Sequence, residues 1–193
     1  LTRRQYLAPL FVVLFSLIAF FFNDALEETF IFDRAALLDG EWWRAFTGHI
    51  FHTNQYHLLL NLGATILLWS LHGQYYRLSN YAIVLFICAV TTSLGVYYFS
   101  TDINYYVGLS GVLHGVFVWG ACCDILHKEK TGYLLLLGVW LKIGHEQWFG
   151  ASEDVAQLIS ASVAIDAHLF GAIGGMIATL LFFAFKPAYN RAS

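Results

Sequence analysis

Ser110 stands in Gly108-Leu109-Ser110-Gly111 at the head of the apolar run Val112–Cys123, and His168 heads another in Asp166-Ala167-His168-Leu169-Phe170-Gly171. A serine hydroxyl attacks a carbonyl well only when a base removes its proton as it does so. Histidine is the natural base because its pKa lies near neutrality. If the two side chains meet, the chemistry is acyl transfer, and in water that is hydrolysis. Acyl transfer also needs donors aimed at the developing oxyanion, each worth about 3–4 kcal/mol. A helix starting at Ser110 leaves its own backbone N–H unpaired and its dipole favourable to negative charge there. His57 and Asn61, in His57-Leu58-Leu59-Leu60-Asn61, stand i, i+4 and project from one helical face. Each feature has a packing alternative: a small serine between glycines permits close helix contact, and His57 and Asn61 suit interhelical hydrogen bonds.

The elements that must position these groups are membrane helices. Of the 193 residues 59% are hydrophobic and only 12% charged, against about 25% charged in a soluble domain, and mean hydropathy is +0.62. A helix crossing a bilayer needs about 20 mostly apolar residues. Six segments approach that: Leu7–Phe22, Tyr56–His72, Tyr81–Phe99, Gly111–Leu126, Gly132–Trp148 and Ala164–Phe185. Lys142 interrupts the fifth near one end, and the second and fourth are short and carry polar groups. Leu7–Phe22 follows Arg3 and Arg4 but precedes no small-residue cleavage site, so it reads as a retained helix. No repeat or long linker divides the chain, and a single domain over residues 1–193 is expected.

Positive charge sets the orientation. Arg3, Arg4, Arg77, His127, Lys128, Lys130, Lys186 and Arg191 fall on one side of six spans, while Asp24, Glu27, Glu28, Asp33, Asp39, Glu41, Asp102, Glu146, Glu153 and Asp154 fall on the other. Both termini are then cytoplasmic, and the second, fourth and sixth segments all begin at the outer face. That puts His57, Asn61, Ser110 and His168 at one depth in the outer half of the bilayer. With a net charge of −3 and no cationic patch, nucleic-acid binding has no support. Cys88, Cys122 and Cys123 form no CxxC motif and read as free thiols in apolar stretches.

At this point a family comes into view. Trp43-Arg44, the stretch His52-Thr53-Asn54-Gln55-Tyr56-His57-Leu58-Leu59-Leu60-Asn61, Gly108-Leu109-Ser110-Gly111 and Ala167-His168-Leu169-Phe170-Gly171 together resemble the rhomboid proteases. The motifs occur in the family's order between residues 43 and 175. The resemblance implies an all-α membrane protein built as a six-transmembrane-helix rhomboid-like bundle, with Ser110 as nucleophile and His168 as base. It implies an oxyanion hole of His57, Asn61 and the Ser110 amide, and places Trp43 and Arg44 in a membrane-embedded first loop. Gly171 and Gly175 match the GxxxG that packs the sixth helix on the fourth, and Gly111 is expected to support the site. His114 takes the place of a tyrosine that often stacks on the catalytic histidine. The acidic residue common near the end of the second helix is absent, Gly73-Gln74 standing there. Small size, Gly-Leu-Ser-Gly-Val-Leu-His-Gly and Asp166 look most like the rhombosortase branch. Those are bacterial inner-membrane proteases whose substrates end in a Gly-Gly motif, a membrane helix and a basic tail. Asp166, two residues from His168, points away from it on a helix and suits the helix amino terminus.

Other classes are weaker. His49, His52, His57 and His72 cluster in sequence, but HExxH is absent and no carboxylate accompanies them in the second segment. His49 and His52 are expected on loop backbone, and neither a metal nor another cofactor is expected. A transporter or receptor would favour inverted repeats and broken helices, which the sequence lacks. An α/β-hydrolase elbow needs glycine where Val112 stands. The expected partners are membrane-anchored protein substrates and the lipid bilayer; oligomeric state is not legible.

Overall fold

The computed structural model describes residues 3–184. The expectations placed on Phe185, Lys186 and Arg191, and on the side chains of Arg3 and Arg4, lie outside the described residues. The long helices coincide with the apolar segments: α1 (Arg3–Phe21), α5 (Gln55–His72), α6 (Leu78–Phe99), α7 (Ser110–Leu126), α8 (Thr131–Phe149) and α10 (Ile165–Ala184). Such runs close into helices because a chain in hydrocarbon must satisfy its backbone hydrogen bonds internally. Short elements fill the connections: α2 (Asn23–Phe30), β1 (Phe32–Asp33), α3 (Arg34–Leu38), α4 (Arg44–Thr47), β2 (Tyr105–Tyr106) and α9 (Glu153–Ile159). Helices α6 and α10 are each long and apolar enough to cross a bilayer, and α1 meets α2 at a 106° bend.

Helix α7 is the axis of the bundle. It is buried from Gly111 to Asp124 on most sides, with α10 and α6 against one flank and α8 and α5 against the others. Outward faces of the other long helices present Leu59, Ile66, Phe86, Leu94, Leu134, Leu141, Leu180 and Phe183, the distribution expected where lipid rather than water is the solvent. Glycines set the α7–α10 distance. A Cβ at Gly171 would overlap the Gly111 carbonyl, one at Gly175 the Gly115 carbonyl, and one at Gly111 would lie 2.7 Å from the Ala167 carbonyl oxygen. The expected Gly171/Gly175 pair thus meets a second small-residue pair, Gly111/Gly115, backbone against backbone.

One departure from an all-helical reading lies in the loops. Strands β1 and β2 pair antiparallel, Phe32 opposite Tyr106 and Asp33 opposite Tyr105, too short to leave an alternating pattern in the sequence. The first loop is knitted by arginines. Arg34 donates to the carbonyls of Val96, Tyr97, Ser100 and Ile103, placing a cation where the α6 dipole is negative. At the opposite end Asp124 accepts from the Tyr75 hydroxyl at 2.8 Å and lies 3.2 Å from His72 Nε2, tying the α5–α6 turn to α7.

Candidate active site

The sequence around Ser110 makes a sharp approach to a helix start. Gly108 has φ +119°, and a Cβ there would sit 2.7 Å from His57 Nε2, so glycine is required both by the left-handed backbone and by the closeness of the imidazole. Its carbonyl accepts from the Tyr106 hydroxyl at 2.8 Å and its N–H donates to Gly48 at 3.3 Å. Ser110 then opens α7, and the first N–H groups of a helix have no partner within it. From the first turn of α10, buried His168 brings Nε2 to 3.0 Å from Ser110 Oγ. These two side chains meet only because the glycine contact holds α7 and α10 together.

His57 and Asn61 come to the same place from α5. Asn54 caps that helix by accepting from the His57 N–H at 2.9 Å. His57 Nδ1 lies 3.1 Å from Thr53 Oγ1 and 3.4 Å from the Thr53 amide nitrogen, and its Nε2 faces Gly108. Asn61 donates one amide hydrogen to the His57 carbonyl at 2.9 Å, leaving a second donor on the same group. His57 and Ser110 border two cavities. One, about 380 Å³, is apolar and runs between α5 and α7 past Asn61, Leu67, Leu71 and Phe117 to Lys142 of α8. The other, about 600 Å³, opens among the loops past Asp102, Asn104, Ser162 and Asp166. Helix α9 lies over the α5 end of the site, where Thr53 donates to the Ile159 carbonyl at 2.6 Å and Asn54 to that of Leu158 at 3.0 Å.

The remaining predicted residues are more scattered. The His114 ring stacks on that of His168, centroids 4.1 Å apart and planes within 20°. Trp43 donates its indole N–H to the Thr29 carbonyl, and buried Arg44 donates to the carbonyls of Glu28 and Ile31 and to Glu41. Both brace the first loop without reaching Ser110. Asp166 accepts from Ser100 at 2.7 Å and Gln147 at 3.2 Å, away from the His168 ring. His49 meets backbone at Ala45 and Gly108 and also reaches α6, its Nε2 lying 3.0 Å from Ser93 Oγ and 3.3 Å from the Ala89 carbonyl. Buried His52 packs edge-on to His57. Desolvation pushes the pKa of His49 down to about 4 and that of His52 to about 3, so both rings are neutral at neutral pH.

A family model for the Rhomboid domain matches residues 39–185, from the first loop to the end of α10. The chain belongs to the rhomboid family. It therefore belongs among the intramembrane serine proteases. No curated protein is significantly similar to this rhomboid.

Two side chains of this rhomboid's site were not singled out from sequence. Glu146 Oε2 lies 2.9 Å from His168 Nδ1, and Lys142 Nζ lies 2.7 Å from Glu146, 2.8 Å from His114 Nε2 and 3.1 Å from His168 Nδ1. Their i, i+4 spacing was visible, but a Lys–Glu pair at that spacing reads as a solvated helix face. Among the described residues, His114, Glu146 and His168 are also the one group of three metal-ligating side chains gathered within 4.8 Å. The lysine ammonium already stands among them. The four histidines clustered in sequence form no such group.

Proposed function

We propose that this rhomboid is an endopeptidase for membrane-anchored proteins that works through a Ser110–His168 dyad near the outer face of a bacterial inner membrane. The supporting observation is the 3.0 Å approach of Ser110 Oγ to His168 Nε2 between an apolar and a polar cavity. Substrate chain would reach Ser110 laterally along the apolar cavity between α5 and α8, with α8 and residues 146–162 over it, which include α9, as the gate. Ser110 Oγ bonds to the scissile carbonyl carbon while its proton passes to His168 Nε2, and the carbonyl π electrons move to oxygen. In this reading His57, the free Asn61 amide hydrogen and the Ser110 N–H would receive that charge. As the C–N bond breaks, His168 returns the proton to the leaving amine. Water from the polar cavity then cleaves the acyl ester by the same sequence of proton transfers. The same reading takes residues 1–193 as one domain, six helices as crossings and both termini as cytoplasmic.

For the substrate, the resemblance of Gly108–Gly115 and Asp166 to the rhombosortase branch favours proteins carrying a Gly-Gly motif ahead of a membrane helix and basic tail. The test incubates purified enzyme with such a protein and sequences the new carboxy terminus by mass spectrometry. Cleavage at the Gly-Gly motif is expected, with none by Ser110→Ala or His168→Ala protein that remains folded. Activity in either variant refutes the dyad. Cleavage only of unrelated helix-destabilised spans refutes the substrate class and leaves a general rhomboid.

A further inference from the structure

His168 Nδ1 has two neighbours, and which one it bonds to decides whether the ring can serve as a base. If Nδ1 accepts from the Lys142 ammonium, the neutral imidazole carries its proton on Nε2, aimed at Ser110 Oγ, and no base faces the serine. If Nδ1–H donates to Glu146, Nε2 is left with a lone pair toward Ser110. The proton inventory of the cluster separates the two. His114 Nδ1 lies 2.7 Å from the Ser110 carbonyl oxygen, which can only accept, so His114 carries its proton there and its Nε2 is an acceptor. Lys142 fills that acceptor at 2.8 Å and donates to Glu146 at 2.7 Å. Its third hydrogen is free to face solvent, since the lysine side chain is 44% exposed. Glu146 is only 13% exposed and is nearer to Nδ1 than Lys142 is. In the first arrangement Glu146 Oε2 would face the Nδ1 lone pair at 2.9 Å with no hydrogen between them; the second, with Lys142 donating to His114 and Glu146 and His168 Nδ1–H to Glu146, has no such clash.

We infer that Glu146 is a positioning residue that holds His168 in the tautomer able to act as base, while Lys142 and His114 fix Glu146 and the ring plane. The assignment rests on the dyad reading above and extends it to a third helix, α8. The carboxylate also faces the positive charge that appears on His168 when Nε2 takes the serine proton. It receives no proton itself, since Nδ1–H stays on the ring throughout.

Labelling of purified enzyme by a fluorophosphonate probe tests this without a known substrate. In that reaction Ser110 Oγ bonds to phosphorus, fluoride leaves with the P–F electron pair, and the serine proton passes to His168 Nε2. Glu146→Ala leaves Lys142 alone beside Nδ1, at 3.1 Å, and should slow labelling by roughly 10³–10⁴-fold, the scale of a wrong-tautomer histidine. Lys142 and Nδ1 meet the same carboxylate oxygen, Oε2, so the amide oxygen of Glu146→Gln can accept from both, and that variant should label faster than Glu146→Ala. A purely structural role predicts the same order, so rescue is the deciding readout: formate should restore labelling to Glu146→Ala, and adding Lys142→Ala to it should recover part of the rate. Folded Glu146→Ala protein that labels at the parent rate, or that is indifferent to formate, overturns the assignment. Absence of labelling in the parent enzyme, or equal labelling of Ser110→Ala, overturns the dyad reading itself.

Discussion

Replacing Gly111 with alanine puts one methyl group between the two helices that carry the nucleophile and its base. The added Cβ falls 2.7 Å from the Ala167 carbonyl oxygen and 2.9 Å from Thr92 Cγ2. The threonine methyl can move aside, but the carbonyl belongs to the first turn of α10 and moves only with that helix. Restoring an ordinary contact of about 3.4 Å requires α7 and α10 to part by about 0.7 Å at this level. Ser110 precedes Gly111 and His168 follows Ala167, so the separation falls directly on the 3.0 Å Oγ–Nε2 contact. Stretched by that amount, the contact is no longer a hydrogen bond. With misplacements of about 1 Å costing about 10²-fold, labelling of Ser110 by a fluorophosphonate should slow roughly 10- to 100-fold. Overpacking costs about 1–3 kcal/mol and the better helix propensity of alanine returns up to about 1 kcal/mol, so thermal stability should fall only modestly. Gly63→Ala is the matched control, because nothing lies within 4 Å of its added Cβ. Parent-rate labelling of Gly111→Ala would refute the claim that glycine packing sets the distance between serine and histidine.

Further expectations concern the groups around that contact. Asn61→Ala should lower kcat by no more than about 10²-fold, and His57→Ala by about 10²–10³-fold; a change confined to KM in either would argue against oxyanion binding. Lys142→Ala removes the ammonium from among His114, Glu146 and His168 and leaves three metal-ligating atoms within 4.8 Å. That variant should therefore become inhibited by micromolar zinc and be restored by EDTA, and zinc sensitivity equal to the parent's would count against it. Burial lowers the pKa of His52 from 6.5 to about 3, so between those values the unfolded chain binds the proton that the folded chain refuses. Its contribution to stability is complete above pH 6.5 and is lost progressively as pH falls through this window. The melting temperature should decline on acidification, and His52→Leu should flatten that decline; an unchanged slope would show that other groups dominate.

The helices were legible because each apolar run must satisfy its backbone internally, a demand that shows directly as length and hydropathy. Ser110, His168, His57 and Asn61 were legible because polar groups within such runs are costly, and three separate segments carry theirs at matching ends. Glu146 and Lys142 were not. Their spacing declares only that they share a face of α8, and that this face meets His168 depends on how α8 leans on α7 and α10. Arg34 was hidden for the same reason, since its acceptors are carbonyls at the far end of α6. The β1–β2 pair spans two residues on each side, below any periodicity. Asp166 shows the converse, for helical geometry alone predicted that it would not serve the histidine two positions on, and its partners are Ser100 and Gln147.

The pairing of β1 with β2 bears on how the nucleophile comes into being during synthesis. Ser110 is delivered by a turn whose backbone is bonded to Gly48 and whose approaching strand is bonded to Phe32 and Asp33. Every residue proposed for chemistry lies at or beyond His57, yet the tether that registers the serine lies before it. A shortened chain starting after Gly48 would keep all the reactive side chains and lose the splint that aims one of them. Such a chain should therefore insert and bind lipid while remaining unreactive toward the fluorophosphonate.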